Sequence, residues 1–301
     1  MRHSTLTALV VALAAWGIGP NAPGAETAKP GVPAELLRAI EQAAPEQAPA
    51  KPAKPRKVLV YGRVQTHPES VPPCFAAIEI LGKKTGAYEA VSSGDPAVFL
   101  PESLRQFDAV VMNNTHESHP LLPANFKELS PEQQKAAQAR EEILKKSLLD
   151  FVAGGKGIVG IHGATCSVQW PEYLELMGGS YGGHITEKVW VKAEEPDHPL
   201  CAAFAGQGCE VQDEIYIFKA PYSRQKVRVV AGLDLEKTAD PKKRPDKDYA
   251  VSWVRPYGQG RVFYCSLGHV AGTYRNGVVL RHYLAGLQFA LGDLPVAAAP
   301  R

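Results

Sequence analysis

Cysteine is scarce in this 301-residue chain: the five at positions 74, 166, 201, 209 and 265 are too scattered for a disulfide framework and form no CxxC zinc pattern. Cys201 and Cys209 are the nearest pair and would close a short loop in an oxidising compartment, whereas the others read as small buried hydrophobes. An excess of one charge is also missing, since 33 basic and 31 acidic residues give a formal +2. The densest basic cluster, Lys242, Lys243, Arg244 and Lys247, is interleaved with Asp240, Asp246 and Asp248. That mixture is a solvated loop rather than a phosphate-binding stripe, so nucleic acid is not an expected partner. After the first expected strand, Gly62-Arg63-Val64-Gln65 lacks both the GxGxxG and the P-loop glycines, which leaves dinucleotide and ATP binding without support. Beyond the N-terminal run, no segment is apolar for long enough to span a membrane.

What is present begins with Arg2 and His3 ahead of an apolar run from Leu6 to Trp16 and small residues around Ala22 to Ala25. This pattern predicts a cleaved signal peptide over residues 1–25, a periplasmic or extracellular location, and no transmembrane span once it is removed. Residues 26–56 hold prolines at 30, 33, 45, 49, 52 and 55 and read as a linker, with room for a helical turn or two around Glu35 to Ile40. Residues 57–292 suffice for one α/β domain, followed by a tail over 293–301.

Within that domain, β-branched runs ending in glycine or polar residues predict strands at 57–62, 88–91, 107–114 and 157–161. Helical stretches from Pro72, Pro131 and Pro171 lie among them. Further strands are expected at 185–191, 209–218, 227–233, 250–254 and 261–267, then a helix from Asn276 to Leu291. The alternation implies an open, mostly parallel, flavodoxin-like sheet with helices on both faces. Ligands on such sheets sit beyond the carboxyl ends of the strands. There the sequence places His67, Asn113, Asn114, His116, His162 and His269.

The run Gly160-Ile161-His162-Gly163-Ala164, then Trp170-Pro171-Glu172-Tyr173, Gly178-Gly179 and Gly183-His184, is similar to the ThuA-like family, named for trehalose utilisation. So are Asp197-His198-Pro199-Leu200, Asp213-Glu214-x-Tyr216, and the stretch from Gly260-Arg261-Val262-Phe263-Tyr264 to Leu267-Gly268-His269. The resemblance covers about residues 56–292 and implies a fold like that of class I glutamine amidotransferases. In those enzymes a strand-to-helix elbow displays a cysteine nucleophile and a histidine follows a later strand. Here His162 stands at the elbow and His269 at the later position. Cys166 lies four residues past His162, beyond the turn, so a cysteine-dependent glutaminase is not expected.

Imidazoles exchange protons near neutral pH and bind divalent metals. His162, His269 and Glu214 are the candidate catalytic residues, and His67, Asn113, His184, Tyr216 and Trp170 the candidate substrate contacts. His162, His184 and His269, with Glu214 as a possible carboxylate, also form a candidate ligand set for a divalent metal such as zinc, although no HxH or HExxH spacing supports it. Plainer readings stand beside these: His162 as a turn cap, His184 as a loop residue, Glu214 in a surface ion pair, and Trp170 as packing. Together with the signal pattern, which predicts export, the resemblance implies a protein acting on a small-molecule carbohydrate of the trehalose or keto-glycoside type, as an isomerase, lyase or hydrolase. Two-carboxylate glycoside hydrolysis fits less well, because Glu214 alone stands out as an acid. A non-catalytic sugar-binding module on the same fold is the alternative.

Overall fold

Apolar side chains alternate along the first strands, and the alternation feeds two separate cores. The computed structural model describes residues 31–239 and 242–301; the expected signal peptide lies outside them. In β1 (Lys57–Tyr61), Val58 and Val60 pack on one face while Leu59 and Tyr61 pack on the other. The same division holds in β3 (Ala109–Asn113) and β4 (Gly157–Ile161), as a parallel strand covered on both sides requires.

With β2 (Glu89–Ser93) and β11 (Gly260–Cys265), these strands form the parallel run β2-β1-β3-β4-β11. The sheet continues through β10 (Ala250–Tyr257), β9 (Arg228–Leu233), β6 (Lys188–Ala193) and β7 (Cys209–Gln212), each antiparallel to its neighbour. Nine strands result, with only β6 and β10 running against the rest. A separate two-stranded sheet pairs β5 (Ser180–Ile185) with β8 (Ile215–Lys219).

Helices α1 (Ala34–Ala43), α2 (Val71–Thr85) and α6 (Gly277–Leu291) share one core, and α3 (Pro101–Leu104), α4 (Pro131–Ala153) and α5 (Pro171–Met177) share the other. The start of α4 is set locally, by Pro131 in its first turn and a capping box between Ser130 and Gln133. No helix among the described residues is long and apolar enough to cross a membrane.

Two expectations are corrected. The described part of the 26–56 segment packs on the domain instead of tethering it. Leu36 and Ile40 of α1 are buried, and the Gln288 amide binds both the N–H and the carbonyl of Ala50. An amphipathic helix with an apolar stripe overrides the proline-rich composition around it. The tail is likewise pinned, through Asp293 to Arg56 and the Ala297 carbonyl to His198. The strand expected over 209–218 divides into β7 and β8 of different sheets, and the break falls on Asp213-Glu214. All five cysteines are free and buried, Cys201 and Cys209 among them, in the state of small buried hydrophobes.

Candidate functional site

Five segments deliver the polar residues to one end of the parallel strands. His162 ends β4 with φ +42°, a left-handed backbone that an L side chain adopts only under constraint. Its carbonyl accepts from the Tyr264 hydroxyl at 2.7 Å, and its Nδ1 faces the Ser266 carbonyl at 2.7 Å. A carbonyl only accepts, so Nδ1 carries the proton and Nε2 is turned toward the crevice. The next turn is a short 3₁₀ helix, His162–Thr165.

His269 follows β11 through Gly268, whose φ of +122° and close approach to the Tyr274 hydroxyl leave no room for a side chain. The buried carboxylate of Asp213 accepts from the backbone N–H groups of Gly268, His269 and Val270 at 2.7, 3.0 and 3.2 Å. It also accepts from the Thr273 hydroxyl at 2.6 Å and the Glu214 N–H at 2.8 Å. One side chain thereby fixes both the loop carrying Glu214 and the loop carrying His269.

Glu214 is the centre. Its Oε2 lies 3.0 Å from His162 Nε2 and 3.1 Å from His269 Nδ1, and these two ring nitrogens are 3.3 Å apart. Its Oε1 lies 2.8 Å from His184 Nδ1, which the Tyr181 hydroxyl also meets at 2.7 Å. His67 approaches from the loop after β1, its ring centroid 4.8 Å from that of His269 and its Nδ1 2.8 Å from the Glu69 carboxylate. Ser70 joins the two loops, donating to the His269 carbonyl and touching His67 Nδ1.

Electrostatics follow the geometry. Burial alone would raise the Glu214 carboxyl, but hydrogen bonds from His162 and His269, with their charge, hold it well below the usual carboxylate range. The hydrogen bond to Glu214 raises His269 against the opposing pull of burial. Burial lowers both His67 and His116, partly offset at His67 by Glu69.

A family model for ThuA, described as trehalose utilisation, matches residues 57–290. The chain belongs to the ThuA family. Among solved structures it is similar to a ThuA-like protein from Bacteroides uniformis, at 18% identity and a TM-score of 0.57, over 80% of this chain and 94% of that one. A second ThuA-like protein, from Parabacteroides merdae, matches at 15% identity and a TM-score of 0.52, over 80% and 91% of the two chains. At such identities the likeness bears on the fold. No curated protein matches this ThuA chain.

Of the residues singled out in this ThuA sequence, the structure gathers His67, His162, His184, His269, Glu214 and Tyr216. Tyr216 is buried, with its ring centroid 4.2 Å from that of His162, and burial pushes its hydroxyl far above the ordinary tyrosine range. It packs against the imidazole rather than facing solvent. The candidate metal set changes: the three histidines whose ligand atoms fall within 4.8 Å of one another are His67, His162 and His269. His184, 42% exposed at its side chain, reaches the centre through the other oxygen of Glu214.

Two expected substrate contacts are buried in the fold. Asn113 is buried and donates to the Val71 carbonyl at 3.0 Å, so it anchors the start of α2. Trp170 is buried, stacks on Tyr173 and borders an open groove of about 550 Å³ that none of the histidines lines. The Cys166 thiol is buried and raised by desolvation, beyond the elbow that His162 crowns.

Sequence reasoning missed the roles of Asp213, Glu69 and Ser266. Asp213 is adjacent to a residue already singled out, and an acid beside the candidate Glu214 was the available signal. Ser266 acts through its carbonyl, which its residue type does not reveal.

Proposed function

We propose that this ThuA protein is exported and acts on a carbohydrate bearing a carbonyl, such as a keto-sugar or keto-glycoside, by moving a proton beside that carbonyl. The family's description ties it to sugar use, and the N-terminal pattern supports export. The observation that carries the chemistry is the placement of His162 Nε2, His269 Nδ1 and Glu214 Oε2 within 3.3 Å of one another at the strand ends. Abstraction of an α-proton needs a nearby base and something to stabilise the developing oxyanion. The His162–Glu214–His269 centre offers both, and His184 lies at its margin, on the other oxygen of Glu214. Isomerisation or elimination of a keto-glycoside uses this step.

The test is proton-exchange and product analysis by NMR, in deuterium oxide, on a panel of keto-glycosides. The wild-type protein is expected to exchange the α-proton and turn over at least one of them. His162→Ala and His269→Ala are each expected to lose about 10²- to 10⁴-fold in turnover, with circular dichroism unchanged. A wild-type protein that binds these sugars yet exchanges no proton would be a binding module, and this reading would be wrong.

A further inference from the structure

Of the three atoms at the centre of the site, Glu214 Oε2 and the Nε2 of neutral His162 are electron-rich, and His269 Nδ1 joins them when its ring proton lies on Nε2. His162 Nδ1 spends its proton on the Ser266 carbonyl, so neutral His162 points a lone pair from Nε2 at the Glu214 carboxylate, 3.0 Å away. His269 Nδ1 meets that same oxygen at 3.1 Å and the same Nε2 at 3.3 Å. Even with the His269 proton on Nδ1, the edge between His162 Nε2 and Glu214 Oε2 pairs two acceptors, and a positive charge at the triangle relieves it. A proton on His162 relieves that edge. A divalent cation serves all three atoms, and it also gives His67 a role.

The triangle has suitable dimensions. Ligands at about 2.0–2.1 Å from a tetrahedral metal lie roughly 3.3 Å from one another; the three edges here are 3.0, 3.1 and 3.3 Å. His67 brings its ligand atom within 4.8 Å of those of His162 and His269. The Glu69 carboxylate at its Nδ1 leaves Nε2 as the lone-pair atom. Metal-binding imidazoles characteristically donate their other N–H to a carbonyl or carboxylate, and Ser266 and Glu69 supply one of each.

We infer that the crevice binds one divalent metal ion through His162 Nε2, His269 Nδ1, Glu214 Oε2 and His67. Three imidazoles and one carboxylate select a late first-row ion such as zinc or cobalt over magnesium or calcium, which take all-oxygen sets. His184 and Tyr181 lie outside the ligand set and orient Glu214 through its other oxygen. The inference rests on the proposed function and refines it: with the lone pairs of His162, His269 and Glu214 given to the ion, the metal would stabilise the oxyanion and His184, beside Glu214 and outside the ligand set, would be the base. Metal binding itself is measured without any substrate.

The experiment uses untagged full-length protein, stripped with a chelator and titrated with cobalt(II) and zinc(II) by calorimetry and visible absorption. The expected result is one equivalent bound with a dissociation constant of about 1 μM or tighter, and d–d bands of a four- or five-coordinate cobalt site. Glu214→Gln and His67→Ala should each weaken binding at least tenfold. His198→Ala, whose imidazole contacts Ala297 far along the chain, should leave binding unchanged. Thermal melts identify variants that fail to fold, and with two independent ligand variants one misfolded protein does not decide the outcome. Absence of stoichiometric binding, or undiminished binding in folded Glu214→Gln and His67→Ala, overturns the inference. Sugar turnover that survives complete chelation also overturns it while leaving the proposed function intact. Tight metal binding without turnover does the reverse.

Discussion

His282 shows what an imidazole does in this protein when it has no crevice to face. It is buried on α6, with Nδ1 2.9 Å from the Leu200 carbonyl and Nε2 2.7 Å from the Ser252 hydroxyl. The neutral ring satisfies both partners, and burial lowers its pKa from 6.5 to about 4. Because the folded value is depressed, the unfolded chain takes up a proton between these two values and the folded chain does not. The stability contributed is therefore complete above about pH 6.5 and is lost as pH falls toward 4. At pH 4.5 the loss should be about 2–3 kcal/mol, from 1.36 kcal/mol per pKa unit. Urea unfolding at pH 7 and pH 4.5, on the wild type and on His282→Gln, isolates it: the variant should show a shallower acid loss by that amount. Equal slopes would mean that His282 does not report on folding.

At the scale of elements, the decisive feature is where a strand stops. The alternation over 209–218 reads as one strand, and locally nothing contradicts that reading. The interruption comes from Asp213, whose partners at 268–273 are more than fifty residues away. A short window of sequence cannot reveal donors supplied by another part of the chain. The buried parallel strands were legible because their apolar pattern and glycine ends are local, and so was the placement of His162 and His269 at their ends. The exchange of His184 for His67 in the candidate ligand set was not, because it depends on how β5 pairs with β8. Asp213→Asn tests the clamp: an amide must turn one donor toward donors. The expected cost is about 2–4 kcal/mol, since charge-assisted hydrogen bonds are lost inside the fold. Thr273→Val removes a single partner and should cost about 1 kcal/mol. Urea midpoints measure both, and near-equal values for the two variants would contradict the clamp.

At the scale of the whole molecule, the proline-rich segment closes the fold beside the site. Besides burying Leu36 and Ile40, α1 receives the Lys84 ammonium on the carbonyls of Glu41 and Ala44, at 2.7 and 2.9 Å. Glu35 lies 3.7 Å from Arg275, at the end of the turn that contains Thr273 and follows His269. The Arg56 guanidinium then fastens the segment to Asp293 after α6. Burying two large aliphatic side chains contributes about 1.5–3 kcal/mol each, and the entropy of ordering the segment offsets part of that. Deleting residues 31–54 is therefore expected to lower the unfolding free energy by about 2–4 kcal/mol. The same deletion should speed amide hydrogen exchange at 268–275, because α1 no longer supports that turn, while exchange in β1 and β3 changes little. A truncated protein with unaltered stability and unaltered exchange at 268–275 would show that the segment only rests on the domain.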